Sequence, residues 1–509
     1  GCRTTWSAFA VGPCARCRGA LQLAANRLKV VKTRRSLQWL IGGRRREMST
    51  TGALILRLSD DLVLHVFSFL RAEMLARVCA LSRRMCAIAS EDLLWYGLLC
   101  EELGHGRLPG PSMSHVVGEW RRRWIAWRRL EVVGCETRSV QGEEEEVPQA
   151  RFLHRAACPT GRLMYVFGGQ GEAGEFNDMW VLDKRVALSE ATAPGSPPRA
   201  RRRAWRRVEV PSDTPAPVQR QSATLTAVGS QLLMFGGRWG ESVFLNDAWL
   251  YDTLRGRWQC VHESEETYAE LEAPPPRADQ PCPRWAHSAV RFGRRVLVFG
   301  GSAPGRCFSD LHWFDLATCK WSRVAPEGRS PAQRSGHCAC AVGDASMFVF
   351  GGNTTRASFN DLWEFQVDLN RWRPIKGSGA APSGRVGHTI TSVGSRLLVL
   401  GGREYATNQF DRVLHAFDTS TRRWSQVPLR QRGAAAGQGA SCAAAESESE
   451  EASVPVLRTG HSTDAFEGKL LVFGGLCSDG SYLGDVTAVH LIEPKAPADR
   501  TAAAAATAA

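Results

Sequence analysis

Arginine, histidine and aspartate recur at matching positions between residues 151 and 485, and these side chains can act as acids, bases or metal ligands. The spacing Arg-x-x-His occurs five times, and each histidine stands 13 or 14 residues before a Gly-Gly pair. Chemistry needs one special site, whereas a residue repeated five times serves a repeated frame. We therefore interpret the histidines as structural residues that satisfy buried backbone or brace the next repeat. They are His154, His287, His337, His388 and His461.

The Gly-Gly pairs define six units. A side chain at such a pair would block the close passage of a neighbouring backbone or forbid a positive φ. The second unit departs from the pattern, because no histidine precedes its glycine pair and Gln221 is the residue nearest to that place. Downstream of the pair, three units have Asp-x-Trp and the other three keep only the aspartate. The first glycines of the pairs are Gly168, Gly236, Gly300, Gly351, Gly401 and Gly474.

The cleanest unit, Arg334 to Trp372, predicts a small antiparallel sheet. Two apolar runs joined by Gly343-Asp344 have the pattern of a hairpin, and Asp361 and Trp372 open a third and a fourth strand. Four short strands with one apolar face are not stable alone, so each unit needs copies on both sides. The 49 glycines, 25 prolines and 17 tryptophans of the chain suit such an array of short strands.

The fourth strand indicates how the array closes. A tryptophan marks this strand in units one to five, but the sixth unit has none. Upstream of the first unit, residues 126–132 nearly duplicate residues 204–210. We therefore predict that a strand carrying Trp127 completes the sixth unit and removes the open edges of the array. The units resemble the kelch repeat over residues 126–493, which implies a mostly β protein with a six-bladed kelch β-propeller closed by this N-terminal strand.

Residues 56–103 have a helical pattern. Ser59-Asp60-Asp61 is an N-cap cluster, and apolar residues follow at spacings of three and four. So short a segment has too little interior to bury them all, so part of this surface should meet a partner. Residues 54–103 resemble a three-helix F-box, although Ser59 and Met85 stand where the family usually has proline and tryptophan. The resemblance implies docking on the Skp-type adaptor of a cullin-RING ubiquitin ligase through Leu58, Leu62, Val66, Phe67, Leu70, Leu75, Val78, Leu81, Met85 and Trp95.

The other segments are predicted to lie outside these folded parts or to be insertions in them. Residues 1–47 hold eleven basic residues and one acid, and are interpreted as a disordered extension that is either a targeting segment or non-native. Residues 104–125 form a linker. A blade-1 insertion at 185–203 and inter-blade insertions at 262–283 and 430–453 interrupt the propeller, and a disordered tail covers 494–509.

Composition restricts the class of partner. Residues 1–47 account for +10 of the net charge of +13, so the remainder is nearly balanced, and the arginine cluster at 199–207 is interpreted as a solvated loop. The 16 cysteines lack the dense spacing of a disulfide scaffold. This favours a reducing compartment, the cytoplasm or nucleus, or an organelle if residues 1–47 are a genuine transit segment. No apolar run approaches the roughly 18 residues of a membrane span, so we expect neither a membrane nor a specific nucleic acid as a partner.

The loops between the second and third strands carry arginines and aromatic residues at places that the repeat does not share. Such side chains suit an acidic or phosphorylated peptide, although ordinary exposed loops contain them too. No catalytic, cofactor-binding or metal-binding motif is present. We expect a non-enzymatic substrate receptor that binds a protein target; the alternatives are a kelch scaffold without a ubiquitin role and a metal-dependent kelch-type enzyme. The expected target-binding residues are Arg238, Trp239, Arg306, Arg356, Arg403 and Tyr405.

Overall fold

The computed structural model describes residues 134–138, 146–188, 203–211, 213–264, 267–268, 279–405, 407–411, 413–428, 430–431 and 457–491. Their strands form six principal sheets of antiparallel strands, which confirms the predicted six-bladed propeller. The segments predicted as F-box, linker, N-terminal extension and C-terminal tail lie outside the described residues. So do residues 189–202, 269–278 and 432–456, within and after the three predicted insertions.

The strands follow the chain from the inner to the outer edge of each blade, except that β1 (Gly134–Arg138) belongs to the last blade. Blade 1 comprises β2 (Arg155–Ala157), β3 (Leu163–Phe167), the small hairpin β4 (Gln170–Gly171) and β5 (Gly174–Glu175), β6 (Met179–Asp183), the helix α1 (Lys184–Leu188) and β7 (Trp205–Arg207). Blade 2 comprises β8 (Thr224–Val228), β9 (Gln231–Trp239), β10 (Val243–Asp252), β11 (Arg257–His262) and β12 (Thr267–Tyr268). Blade 3 comprises β13 (Ser288–Phe292), β14 (Arg295–Phe299), the hairpin β15 (Ser302–Ala303) and β16 (Arg306–Cys307), β17 (Leu311–Asp315) and β18 (Lys320–Val324).

The second half of the ring repeats this order. Blade 4 comprises β19 (Cys338–Val342), β20 (Ser346–Phe350), β21 (Leu362–Gln366) and β22 (Arg371–Ile375). Blade 5 comprises β23 (Ser378–Gly379), β24 (Arg385–Val386), β25 (Thr389–Val393), β26 (Arg396–Leu400), β27 (Arg403–Glu404), β28 (Val413–Asp418) and β29 (Arg423–Pro428). Blade 6 comprises β30 (Arg430–Gln431), β31 (Arg458–Thr459), β32 (Ser462–Phe466), β33 (Lys469–Cys477) and β34 (Tyr482–His490).

An N-terminal strand closes the ring, as predicted, but it is a different stretch of chain. β1 pairs antiparallel with β34 and places Cys135 opposite Val489. This is the register position at which blade 1 has Trp205 opposite Leu182. The strand predicted around Trp127 was therefore misplaced: the tryptophan position of blade 6 is filled by Cys135, and residues 126–133 lie outside the described residues.

The hydrophobic core lies between the blades. The fourth-strand tryptophan of each blade from 1 to 5 packs against an aromatic ring on the second strand of the preceding blade. Trp372 of blade 4, for example, lies with its ring centroid 5.0 Å from Phe299 of blade 3 and 5.1 Å from Phe365 of its own blade. The same contact crosses the closure, where Trp205 of blade 1 lies 4.8 Å from Phe473 of blade 6. Aromatic pairs of this kind contribute about 0.5–1.5 kcal/mol each beyond the area that they bury.

A closed ring of six backbone hydrogen bonds surrounds the propeller axis. One residue per blade donates its N–H to the carbonyl oxygen of the equivalent residue in the preceding blade, over N···O distances of 2.8–3.3 Å. All six residues have positive φ, and three of them are not glycine. Such strain in a non-glycine residue persists only where the surrounding structure holds it. The six residues are Leu153, Ser222, Ala286, Gly336, Gly387 and Gly460.

The recurrent histidines add a second link between neighbouring blades. In four blades the imidazole Nε2 shares a hydrogen bond with a hydroxyl on the inner strand of the preceding blade. The pairs are His154 with Ser462 (2.9 Å), His287 with Thr224 (3.1 Å), His337 with Ser288 (3.0 Å) and His461 with Thr389 (3.1 Å). His388 faces a blade that has Cys338 in place of the hydroxyl, and the Cys338 thiol donates instead to the His388 carbonyl oxygen (2.6 Å).

The glycine pairs provide a test of this packing. Gly301 has a φ of 95°, and a Cβ added there would lie 2.8 Å from both the carbonyl oxygen of Trp285 and Cβ of His287. We expect Gly301→Ala to lower the free energy of unfolding by about 3 kcal/mol or more, because strain and backbone overlap add. The matched control is Gly293→Ala, where φ is also positive (58°) but the space is open, so a loss of about 1 kcal/mol is expected. Equal losses in urea denaturation would contradict the close-approach explanation.

Candidate protein-binding face

The loops between the second and third strands and the connections from one blade to the next emerge at the same face of the propeller, here called the upper face. Strand direction alternates within each blade, so the two other sets of turns lie at the opposite, lower face. The six residues predicted to bind a target all belong to the loops of the upper face. Loops on a rigid scaffold are the usual carriers of recognition.

Ion pairs of buried arginines anchor these loops. In each blade an arginine just before the inner strand reaches an aspartate that precedes the third strand or, in blades 2 and 6, lies within it. Each Nη1 also donates to the carbonyl oxygen of the first glycine of the pair, at 2.9–3.2 Å. The shortest N···O distances are 2.6–3.0 Å, and the pairs are Arg151–Asp178, Arg220–Asp247, Arg284–Asp310, Arg334–Asp361, Arg385–Asp411 and Arg458–Asp485. Five of the pairs are bidentate, a geometry that planar guanidinium groups suit. In the sixth pair, Arg385 Nη2 donates to Ser383 Oγ instead.

The second unit is less irregular than the sequence indicated. Arg220 makes the same buried pair as the other five arginines, and Ala223 stands at the histidine position. A Cβ added at Gly237 would meet Ala223, just as one added at Gly301 would meet His287. The prediction that Gln221 is nearest to the histidine place was therefore wrong by two residues, because without the histidine nothing marked the register.

The aspartates share a further donor that the comparison of the repeats missed. In the three units with Asp-x-Trp, the indole Nε1 donates to the aspartate Oδ2 at 2.6–2.7 Å. Two of the other three units keep such a contact, since Thr487 Oγ1 donates to Asp485 (2.7 Å) and His415 Nε2 lies 2.6 Å from Asp411 Oδ2. In the third, His312 Nδ1 lies 3.7 Å from Asp310 Oδ2, which is too long for a hydrogen bond. Although burial raises the pKa of Asp411, His415 and Arg385 lower it to about 2.

Two of the predicted target-binding arginines, one in blade 2 and one in blade 3, stack on aromatic rings. Arg238 of blade 2 is half-buried, and its guanidinium carbon lies 4.4 Å from the ring centroid of Trp285. Arg306 of blade 3 is also half-buried, lies 4.8 Å from the Phe308 ring and donates from Nη2 to Cys282 Sγ at 3.3 Å. Stacking of this kind leaves the positive charge available while it fixes the orientation of the group.

The loops of blades 4 and 5 carry the other two arginines in looser settings. Arg356 is exposed, and its backbone N–H donates to Thr354 Oγ1 at 3.2 Å. Arg403 is exposed as well and donates from Nη1 to Asn408 Oδ1 at 3.0 Å. These side chains are therefore less fixed by the fold than Arg238 and Arg306.

The charge of the four loop arginines is not neutralised within the described part of the chain. Arg238, Arg306, Arg356 and Arg403 make no ion pair with a described carboxylate, in contrast to the six scaffold arginines. Five large hydrophobic side chains are exposed among the described residues, and the two aromatic ones, Trp239 (37%) and Tyr405 (49%), lie in loops of this face. The face therefore combines free positive charge with aromatic surface, which suits a partner with both acidic and apolar groups.

The arginine cluster near residue 203 has a different setting. Arg203, Arg206 and Arg207 are exposed and line a cavity of about 410 Å³ at the outer edge of blade 1. Glu146, Asp183 and Glu209 line the same cavity. Acids therefore accompany the three described arginines, although Asp183 is also paired with Arg162, and this mixed charge gives no support to a nucleic-acid surface at that edge.

Metal binding and membrane crossing are two other kinds of function that side-chain placement can indicate. Among the described residues, no group of three or more His, Cys, Asp or Glu side chains is placed to hold a metal ion. Within the same ranges, no helix combines the length and apolar character that a membrane crossing requires.

The family of the chain follows from its two parts taken together. Residues 56–101 match the F-box-like family, and residues 202–340 and 264–449 match the KLHDC2/KLHL20/DRC7 Kelch-repeats domain. The matched kelch region lies within the six-bladed ring of sheets. The chain is an F-box/kelch-repeat protein.

Several curated proteins resemble the propeller of this F-box/kelch-repeat protein. Mouse Kelch domain-containing protein 1 is 28% identical over 256 residues, which cover 46% of this chain and 57% of that protein. Mouse Rab9 effector protein with kelch motifs is 30% identical over 210 residues (40% and 50%). Adagio-like protein 1 of Oryza sativa subsp. japonica is 27% identical over 384 residues (68% and 54%). The chain thus spans about half the length of these relatives. An F-box joined to a kelch propeller indicates a role in recognition and interaction.

The buried histidines make stability depend on pH. Burial, followed by the charge of neighbouring arginines, lowers the pKa of His388 and of His461 to about 3 and that of His312 to about 4. The same causes hold the pKa of His154, His287 and His337 well below 6.5. The unfolded chain therefore takes up protons below about pH 6.5 that the folded chain does not, which favours unfolding.

We expect the free energy of unfolding to reach its highest value above about pH 7 and to fall as pH drops towards 5. Each buried histidine contributes up to about 1.4 kcal/mol per pH unit below its unfolded pKa. Urea denaturation between pH 7.5 and 5 measures this slope, and His337→Gln should reduce the proton uptake on unfolding by about one. A stability that does not change over this range would show that the histidines are protonated in the folded state.

Proposed function

We propose that this F-box/kelch-repeat protein is the substrate-recognition subunit of a Skp/cullin/F-box type ubiquitin ligase. The observation that carries the proposal is the combination in one chain of an F-box-like segment at 56–101 with a rigid propeller whose upper face has unneutralised arginines. The F-box would dock on a Skp-type adaptor, and through it on a cullin-RING scaffold. The propeller would bind a protein target.

The proposed contribution to ubiquitin transfer is proximity. A target held on the scaffold presents its lysines at a high effective concentration to the transfer machinery. No acid–base or metal chemistry by the propeller is needed for this role, and we propose no enzymatic activity for it. The six arginines of the Arg–Asp pairs are already bound to their aspartates. We therefore assign target binding to the loop side chains outside these pairs.

The adaptor side of the proposal can be tested by co-purification of the full chain with a Skp-type adaptor. Leu62→Arg and Trp95→Ala should each weaken adaptor binding, because the first puts a charge into the expected apolar surface and the second removes a large aromatic contact. The loss for an interface anchor is about 2 kcal/mol or more, or roughly 30-fold in affinity. Arg356→Glu, an exposed change in the propeller, is the control and should leave adaptor binding intact.

A wild-type chain that does not bind the adaptor would remove the ubiquitin-ligase proposal. The alternative that would remain is a kelch interaction protein or scaffold. One relative, Rab9 effector protein with kelch motifs, is named as an effector rather than as a ligase subunit, so this class is represented among the similar proteins.

The target side can be tested by capture of whichever protein the propeller binds. Affinity capture from cell extract with the full chain, followed by quantitative mass spectrometry, compares wild type with the double variant Arg306→Glu and Arg356→Glu. We expect the reversal of charge at two loop positions to lower capture of the target about tenfold or more, with adaptor binding and the thermal midpoint nearly unchanged.

The matched control for this experiment reverses two arginines away from the upper face. Arg257 at the start of β11 and Arg294 in the turn before β14 are exposed and lie next to the lower face, and Arg257→Glu with Arg294→Glu changes the net charge by the same amount. If both double variants lose the target equally, net charge rather than the upper face controls binding. A large fall in the thermal midpoint of the Arg306→Glu and Arg356→Glu double variant would instead show that Arg306 has a structural role.

A further inference from the structure

Arg155 places an unneutralised positive charge beside the axis of the propeller. The six inner strands, β2, β8, β13, β19, β25 and β32, contain three charged residues, Arg155, Arg291 and Asp464. Asp464 is committed to an ion pair with the buried Lys184, and Arg291 is exposed. Arg155 has no ion pair with any described carboxylate. The central channel therefore has an excess of positive charge.

Arg155 occupies its place because two neighbouring blades depart from the repeat together. The four hydroxyl residues that bind an imidazole, Ser462, Thr224, Ser288 and Thr389, stand at the first position of their inner strands. In blade 1 the first position of the inner strand is Arg155. The residue of blade 2 that faces it is Ala223, where other blades have a histidine. A side chain longer than serine or threonine thus reaches into the space that the missing imidazole leaves.

The contacts of Arg155 fix its guanidinium but leave part of it unused. Nε donates to the Ala223 carbonyl oxygen at 2.7 Å, and Nη1 donates to the His154 carbonyl oxygen at 3.1 Å. Nη2 has no hydrogen-bond partner among the described residues. The cavity between Arg155, Ala223 and Thr224, about 10 Å³, has room for one water molecule only, so the free side of the guanidinium is the side that faces the channel.

The charge of Arg155 shifts the pKa of titratable groups in neighbouring blades. After burial and the charge of Arg284, the charge of Arg155 is the next cause that lowers the pKa of His287 in blade 3. It also opposes the effect of burial, which raises the pKa of Cys338 in blade 4 to about 11. Burial lowers the pKa of Arg155 itself. The positive potential thus reaches several blades, and no described acid compensates it.

We propose that Arg155 binds a small inorganic anion, chloride in the simplest case, in the central channel between blades 1 and 2. Arg155 is half-buried and has no counter-charge among the described residues; a bound anion neutralises it and accepts the free N–H groups of Nη2. The anion binds the folded chain only, so its concentration is linked to the stability of the propeller. The site is independent of adaptor and target binding.

The test compares thermal unfolding of the full chain in sodium chloride and in sodium gluconate at equal ionic strength. Gluconate is a much bulkier anion than chloride and serves as the comparison. We expect the wild-type midpoint to rise saturably with chloride, by about 2 °C or more, and to stay constant in gluconate. Arg155→Met, which keeps much of the side-chain volume without the charge, should remove the difference between the two salts. Arg356→Met, at an exposed arginine, is the control and should retain it.

A second variant keeps the test decisive if Arg155→Met does not fold. Arg155→Thr combined with Ala223→His restores the histidine–hydroxyl pairing that four other interfaces have, so this protein should fold and should respond equally to both salts. Crystals grown in sodium bromide supply a direct readout, because an anomalous peak is expected within about 3.5 Å of Nη2. The absence of that peak, or a chloride response that survives in both Arg155 variants, would overturn the proposal.

Discussion

The ring of backbone hydrogen bonds at the axis is the constraint on which the rest of the propeller depends. Each blade donates to its predecessor through one residue of positive φ, and blade 1 donates to blade 6, so no blade can shift without breaking two of these bonds. The histidine–hydroxyl pairs and the tryptophan contacts lie between the same neighbours. A closed ring of this kind leaves no free sheet edge at either chain end, because β1 completes the last blade.

The ion pairs divide the arginines of the chain into two groups with different physical roles. A buried guanidinium that lost its carboxylate would be left without a counter-charge, which costs several kcal/mol. The six paired arginines are therefore tied to the fold and cannot move to meet a ligand. Arg238 and Arg306 are also fixed, but by aromatic rings, which orient a cation without cancelling its charge. This second arrangement fixes the group and still leaves its charge for a partner.

The sequence predicted those features of the fold that repeat and missed those that do not. Six Gly-Gly pairs gave six blades, and the missing tryptophan of the sixth unit correctly indicated closure by an N-terminal strand. The location of that strand was wrong, since a local resemblance to residues 204–210 carries no information about hydrogen-bond register, and register placed Cys135 opposite Val489. Arg220 was missed for a similar reason, because its unit lacks the histidine used to align the others. The donor Thr487 differs in type from tryptophan and shares only its position two residues after the aspartate.

Departures from a repeat are informative when two of them face each other. Ala223 alone would be a missing histidine, and Arg155 alone would be an unusual residue on an inner strand. Together they form one altered interface, in which a cation takes the place of a neutral hydrogen-bonded pair. The alteration adds nothing to the apolar packing of blades 1 and 2, since the guanidinium donates only to backbone oxygens and a small cavity remains. What it changes is the electrostatic potential of the channel, because a half-buried cation that pairs with no described carboxylate stands where four other interfaces have a histidine bonded to a hydroxyl.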